Sequence, residues 1–135
     1  ILVADHGRGL YLNWDRVIDN GPDTDFFFPL LMVKDFNAKG FSFSDTFMTT
    51  ADVPTLATSG LIDNPTNPFT GNAINANAKY DRPFYAFMSY DWDTSKNNGN
   101  QFFPGTWYRV DNQNARDKRN WVMVGENTVL PDALR

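Results

Sequence analysis

Ile1-Leu2-Val3-Ala4-Asp5-His6-Gly7-Arg8-Gly9 opens the chain, four apolar residues running straight into an acid, the only histidine and a glycine. An apolar run closed by a turn signal predicts a buried strand, of the parallel kind that has neighbours on both sides. Asp5 and His6 then fall at its carboxyl end, where open α/β sheets hold their ligands. A carboxylate and an imidazole are hard-to-borderline donors and suit a divalent cation such as Zn²⁺ or Mn²⁺. The alternative is local: Asp5 caps the following turn and His6 is an ordinary loop histidine. The tripeptide alone does not separate the two.

Working outward, Gly7-Arg8-Gly9 is a flexible turn. Leu10, Trp14 and Val17 have helical spacing, and Asn20-Gly21-Pro22-Asp23 is a strong turn signal. Phe26-Phe27-Phe28-Pro29-Leu30-Leu31-Met32-Val33-Lys34 is a second continuous apolar run and predicts a second core strand, with Pro29 near an edge or a bend. A loop over 35–43 carries Gly40. The stretch Thr49-Thr50-Ala51-Asp52-Val53-Pro54-Thr55-Leu56-Ala57-Thr58-Ser59-Gly60 predicts a short helix. Asp52 is placed to accept from its first-turn N–H groups, Pro54 is tolerated that early, and Gly60 suits the position past its end. Residues 63–78 are loop chemistry throughout and mark the boundary between a first part, 1–70, and a second, 71–135.

The second part changes character to antiparallel β. Residues 84–92 are nearly all aromatic or apolar, and Asn97-Asn98-Gly99-Asn100 has Asn-Gly at the centre of a hairpin turn. Residues 101–110 return as the partner strand, with a bulge expected at Pro104-Gly105. A polar turn at 111–120 leads to a last strand, 121–124, ended by Gly125.

Three of these pieces in this order resemble the alkaline phosphatase/sulfatase superfamily. Asp5-His6-Gly7 ending a strand, then Pro29-Leu30-Leu31-Met32-Val33-Lys34, then Asp52-Val53-Pro54-Thr55-Leu56-Ala57 is similar to the arrangement in sulfatases and phosphoglycerol transferases of the lipoteichoic-acid-synthase kind. Asn64-Pro65-Thr66-Asn67-Pro68-Phe69-Thr70-Gly71 is similar to a loop of bacterial membrane-anchored sulfatase-like proteins. The resemblance covers about residues 1–70. It implies the C-terminal portion of an α/β core followed by a small β-rich antiparallel subdomain, and a hydrolase or transferase acting on sulfate or phosphate esters. Asp5 and His6 are the two metal ligands it carries across, for one divalent ion (Mn, Ca or Zn). A cation there stabilises charge on phosphoryl or sulfuryl oxygens and lowers the pKa of a nucleophile.

In the family the nucleophile and remaining ligands precede this motif, so no catalytic residue is assigned in this chain. Ile1 starts in mid-strand with no initiator Met. The expectation is therefore a C-terminal part whose partner is the upstream part of the same polypeptide, inactive alone. Two-zinc alkaline phosphatases need a further histidine, and none follows His6, which implies a single metal. The resemblance also implies an extracytoplasmic location, often as the ectodomain of a membrane-anchored bacterial protein. Arg8 stands where the transferases often have an acid. Its planar fork suits a substrate phosphate or sulfate; the alternative is a solvated loop charge or an ion-pair partner.

Composition excludes several classes. With 135 residues, 41% hydrophobic and 21% charged, the chain is long enough to bury a core and is not a disordered segment. A net charge of −4 without basic clusters argues against nucleic acid. No apolar run reaches the roughly 18 residues of a membrane span, and the absence of cysteine rules out disulfides and thiolate metal sites. Asp91-Trp92-Asp93-Thr94-Ser95 mimics the start of a calcium loop, but Lys96 replaces the required glycine and Phe102 the closing glutamate. Lys34 and Lys39 have the charge to meet an anion, and equally decorate a strand end and a loop. The mixed-sign group Arg116, Asp117, Lys118, Arg119 reads as a solvated turn. Phe102, Phe103, Trp107, Tyr108 and Trp121 fit either a shared aromatic core or a sugar-stacking platform. The platform would make the chain a non-catalytic glycan-binding or structural module, the alternative to an enzyme.

Overall fold

A computed structural model of the chain describes residues 1–89, 103–111 and 114–134. It mixes helices and strands, with two small antiparallel sheets, and divides into two units. One comprises Ile1–Arg8 and Phe28–Asp81, the other Gly9–Phe27 and Arg82–Arg135. The sequence from 9 to 27 therefore groups with the C-terminal sheet, and 71–81 with the first unit.

In the first unit, β1 (Leu2–Val3) pairs with β2 (Leu31–Met32) in antiparallel register, Leu2 opposite Met32 and Val3 opposite Leu31. The Ala4 N–H donates to the Leu30 carbonyl at 2.9 Å, extending the pair by one bond. The predicted buried parallel strand is thus corrected on both counts: the direction is antiparallel, and Leu2 is 60% exposed. A continuous apolar run reports hydrophobicity; it carries no information on which way a neighbour runs or what covers it. The expected strand over 26–34 is likewise short. Pro29 has no N–H to give a ladder, and residues Thr24–Phe27 form a 3₁₀ turn instead.

The predicted helix is present. A 3₁₀ turn at Thr50–Asp52 leads directly into α1 (Val53–Thr58), with Pro54 in its first turn and Gly60 beyond its end at φ +77°. That left-handed backbone is what a glycine is needed for. A second short helix, α2 (Ala76–Lys79), is capped by Asn75, whose Oδ1 accepts from the Ala78 N–H at 3.1 Å.

The second unit is built on a three-stranded antiparallel sheet in the order β3 (Phe84–Met88), β4 (Gly105–Val110), β5 (Trp121–Thr128). The predicted pairing of the two aromatic runs is found, Phe87 opposite Trp107 and Ala86 opposite Tyr108. The Asn-Gly turn expected to join them, and the calcium-loop mimic at 91–95, lie outside the described residues. Register shifts between β4 and β5 flank Trp107, close to the expected bulge. Gly125 does not end the last strand, which runs on to Thr128.

Tyr108, Val110, Ala115 and Trp121 form the core, with Ile18, Phe27, Phe84 and Ala86 packed against it. Phe27 and Trp121 meet with ring centroids 4.9 Å apart, which explains why residues 9–27 belong to this unit. The indole N–H of Trp121 is satisfied by the Ala115 carbonyl at 2.8 Å. Within the 9–27 segment the Asn20-Gly21 turn is closed by Gly21 N–H to Ile18 carbonyl at 2.8 Å, Asn20 taking φ +57°. Leu10, Trp14 and Val17 do not make a helix; only a 3₁₀ turn at Trp14–Arg16 forms.

Candidate functional site

The Asp5–His6 pair sits just past β1, where the ladder to β2 has ended. The Asp5 carboxylate accepts the backbone N–H of His6 at 3.0 Å, and His6 Nδ1 lies 2.6 Å from the Gly7 carbonyl oxygen. A carbonyl only accepts, so Nδ1 carries the proton in that contact and Nε2 keeps its lone pair in the neutral ring. A backbone carbonyl fixing the tautomer in this way is the usual support of a metal-binding imidazole. His6 Nε2 is 3.9 Å from Asp5 Oδ1, and the side chains are 61% and 90% exposed. That separation is at the upper end of what one ion bridges with bonds of about 2.0–2.2 Å to each donor.

Asp5 Oδ1 and His6 Nε2 are donors of a kind that a divalent cation accepts. Among the described residues no group of three or more His, Cys, Asp or Glu side chains gathers to hold an ion. Arg8 is exposed and makes no hydrogen bond or ion pair among the described residues.

Beside Asp5 lies an open, mostly apolar cleft of about 360 Å³. Val3, Ala4 and Asp5 form one wall and Thr50, Val53 and Pro54 the other. The three stretches that carry the sequence resemblance thus meet in one unit: Asp5-His6-Gly7 follows β1, β2 pairs with β1, and the first turn of α1 lines the cleft beside Asp5.

What holds that turn is a buried polar cluster that local reading of the sequence missed. Asp52 was expected to cap α1 from its first position; instead its carboxylate reaches back, accepting the Thr49 N–H at 2.9 Å and the Thr49 hydroxyl at 3.0 Å. Thr49-x-x-Asp52 is a capping-box spacing, the one local signal available. The Lys79 ammonium pairs with the same carboxylate oxygen and donates to the Phe47 carbonyl at 3.2 Å. Asn67 Nδ2 donates to Asp52 Oδ1 and to the Ala51 carbonyl, both at 3.1 Å. Asn67 Oδ1 accepts from the backbone of Phe69 at 2.8 Å and Thr70 at 3.3 Å. Burial alone would raise the Asp52 pKa, but the bonds from Lys79, the Thr49 N–H, Asn67 and the Thr49 hydroxyl outweigh it and hold the carboxyl below its ordinary range. Both carboxylate oxygens are engaged, so the cluster is structural support and not a second site.

The other singled-out residues divide clearly. Tyr108 and Trp121 are buried, and Trp107 is half-buried, packed on Phe87 with centroids 4.9 Å apart and its N–H on the Thr128 carbonyl at 3.3 Å. These three form no flat exposed platform; Phe102, which belongs to the same expectation, lies outside the described residues. In the mixed-sign turn, Arg119 forks onto Asp117, whose carboxyl is held down to about 2 by those bonds, and Lys118 reaches Asp19 at 3.0 Å. Lys34 and Lys39 are exposed on the loop after β2. No helix among the described residues is long and apolar enough to cross a membrane. Compared with protein-family models, with curated proteins and with solved structures, the chain matches none.

Proposed function

We propose that this chain is the part of a sulfatase-like hydrolase or transferase that supplies two ligands, Asp5 and His6, to a single divalent metal ion, acting on a sulfate or phosphate ester outside the cytoplasm. The observation that supports the reading is geometric: His6 Nδ1 lies 2.6 Å from the Gly7 carbonyl oxygen, which leaves Nε2 as the ring's open donor, 3.9 Å from Oδ1 of the exposed Asp5 carboxylate. The meeting of the three family-like stretches around the cleft beside Asp5 supports it further. When bound, the ion would supply Lewis-acid stabilisation of the ester's non-bridging oxygens and a lowered nucleophile pKa. Asp5 and His6 would hold the ion, the Gly7 carbonyl would orient the His6 ring, and the Asp52 cluster fixes one wall of the cleft. Arg8, which is exposed, is available to the anionic end of the ester. The nucleophile and remaining ligands belong to an upstream part of the same polypeptide in this reading, and the chain alone is expected to be inactive. Burial of Tyr108 and Trp121 weighs against the glycan-binding alternative.

Titration of the full-length protein with Mn²⁺, Zn²⁺ and Ca²⁺, alongside hydrolysis of aryl sulfate and aryl phosphate esters, tests the proposal. Asp5→Ala and His6→Ala are each expected to weaken metal affinity at least on the order of tenfold and to abolish turnover. Unchanged affinity and turnover in both variants would sink it.

A further inference from the structure

We infer that the cleft beside Asp5 receives the organic group of the ester, and that this group is apolar. The substrate is then the sulfate or phosphate ester of an alkyl, benzylic or aryl alcohol, and not of a sugar or other polyol. The inference rests on the metal reading above and names the substrate class for that same site. At about 360 Å³ the cleft has the size of a small-molecule site. Its two walls are held independently. Val3 and Ala4 are fixed by the register of β1 on β2 and by the bond from the Ala4 N–H to the Leu30 carbonyl. Val53 and Pro54 belong to the first turn of α1, behind which Asp52 is tied to Thr49 and Asn67. Four of the six lining residues are apolar, and the polar ones are Asp5 and Thr50.

Charge decides which end of an ester enters. The one charged side chain lining the cleft is an acid, Asp5. A sulfate or phosphate group inside would meet that carboxylate with no lining cation to offset it. The anionic end therefore belongs on the ion that Asp5 and His6 would hold, and the organic group turns to the cleft. Hydrogen bonding decides what that group is. The hydroxyls of a polyol set against Val3, Ala4, Val53 and Pro54 would give up water and find only Thr50 and Asp5 in exchange, which is costly. An alkyl or aryl group gives up no hydrogen bond and removes apolar area from water on both walls. Val3 and Val53, one on each wall, are the specificity-determining residues.

Benzyl and glycerol esters of the same anion are compared on the full-length protein, because their leaving alcohols have similar acidity and differ chiefly in polarity. The kcat/KM ratio is expected to favour the benzyl ester on the order of tenfold or more. The pair Val3→Thr with Val53→Thr puts a hydroxyl on each wall at nearly constant volume and should lower that ratio on the order of tenfold. Binding is read without turnover by NMR in chelator. Benzyl alcohol should shift the Ala4 methyl resonance saturably, glycerol should not, and the threonine pair should weaken the benzyl alcohol response on the order of tenfold. Should the pair unfold, Val53→Thr alone replaces it, with a loss on the order of threefold. Equal kcat/KM for the two esters overturns the inference, as does an Ala4 methyl that stays silent because another part of the polypeptide covers it; the metal reading then still stands if Asp5→Ala and His6→Ala lose metal affinity. If those two variants keep metal affinity and turnover, the metal reading fails and the inference falls with it.

Discussion

The two units hide different things from water. In the unit built on β3, β4 and β5 the centre is Tyr108, Val110, Ala115 and Trp121. In the unit built on β1, β2 and α1, the buried side chains among the described residues are all polar, Asp52, Thr55 and Asn67, whereas the other unit buries Asp23 and Thr24 in addition to its aromatic centre. Apolar burial is non-directional and degrades gradually as atoms are removed. A buried charge is held by particular partners, and losing one leaves an unpaired ion in a low-dielectric surround. The contrast separates the two kinds of carboxylate in the first unit. Asp52 is enclosed and engaged on both oxygens, whereas Asp5 is open and occupied by one local N–H. The first makes the fold and the second is left for chemistry.

The sharpest way to break this contrast is at Asp52 itself. Asp52→Ala strands the Lys79 ammonium and frees Asn67 and Thr49, and should cost about 3–5 kcal/mol. Hydrogen exchange is the measurement: amides around Thr55 and Asn67 should lose protection, with those of β4 and β5 as the internal reference. If protection around Thr55 is retained, the polar cluster is not what holds that unit. Acid should act at the same place. The Asp52 carboxyl titrates below its unfolded value of 3.8 when folded, so its contribution is complete above about 3.8 and is lost as pH falls through the folded pKa. A unit 1 signal, such as the Phe47–Tyr80 ring contact read by NMR, should therefore weaken below pH 3.8 and not between 5 and 8.

The aromatic centre offers the converse. Trp121→Ala removes a ring that Phe27, Phe84 and Tyr108 all touch, at about 3–5 kcal/mol, and protection should fall in β4 and β5. A smaller effect belongs to Gly105 at the start of β4. A Cβ there would run into the Met88 carbonyl oxygen and the Phe87 ring. Gly105→Ala should cost about 1–3 kcal/mol through that overpacking, visible as a lowered urea midpoint with an unchanged slope.

The same contrast explains how far the sequence could be read. β3, β4 and β5 were legible because aromatic runs separated by turn residues have one economical arrangement, an antiparallel sheet. α1 was legible because Pro54 and Gly60 punctuate it. The direction and exposure of β1 and β2 were not, since apolar continuity is silent on both. Asp52 carried a visible capping spacing with Thr49, but its decisive partners, Asn67 and Lys79, lie 15 and 27 residues away. No periodicity or motif spans that distance; tertiary packing alone brings them together. Asp5 and His6 are adjacent in sequence, so their juxtaposition was available from the start, and what the structure adds is the tautomer.

The smallest expected effect is the one that keeps site and fold apart. Asp5→Ala and His6→Ala remove exposed side chains whose hydrogen bonds are to their immediate neighbours, so each should shift stability by no more than about 0.5 kcal/mol. Urea unfolding of the two variants beside the unaltered chain, all in chelator, reads this directly. Midpoints that coincide mean that any loss of metal affinity in these variants reflects lost ligands. A shift of several times that size would make the strand end at Asp5-His6-Gly7 part of the scaffold. The carboxylate would then resemble Asp52 after all, and the distinction between the enclosed and the open acid would collapse.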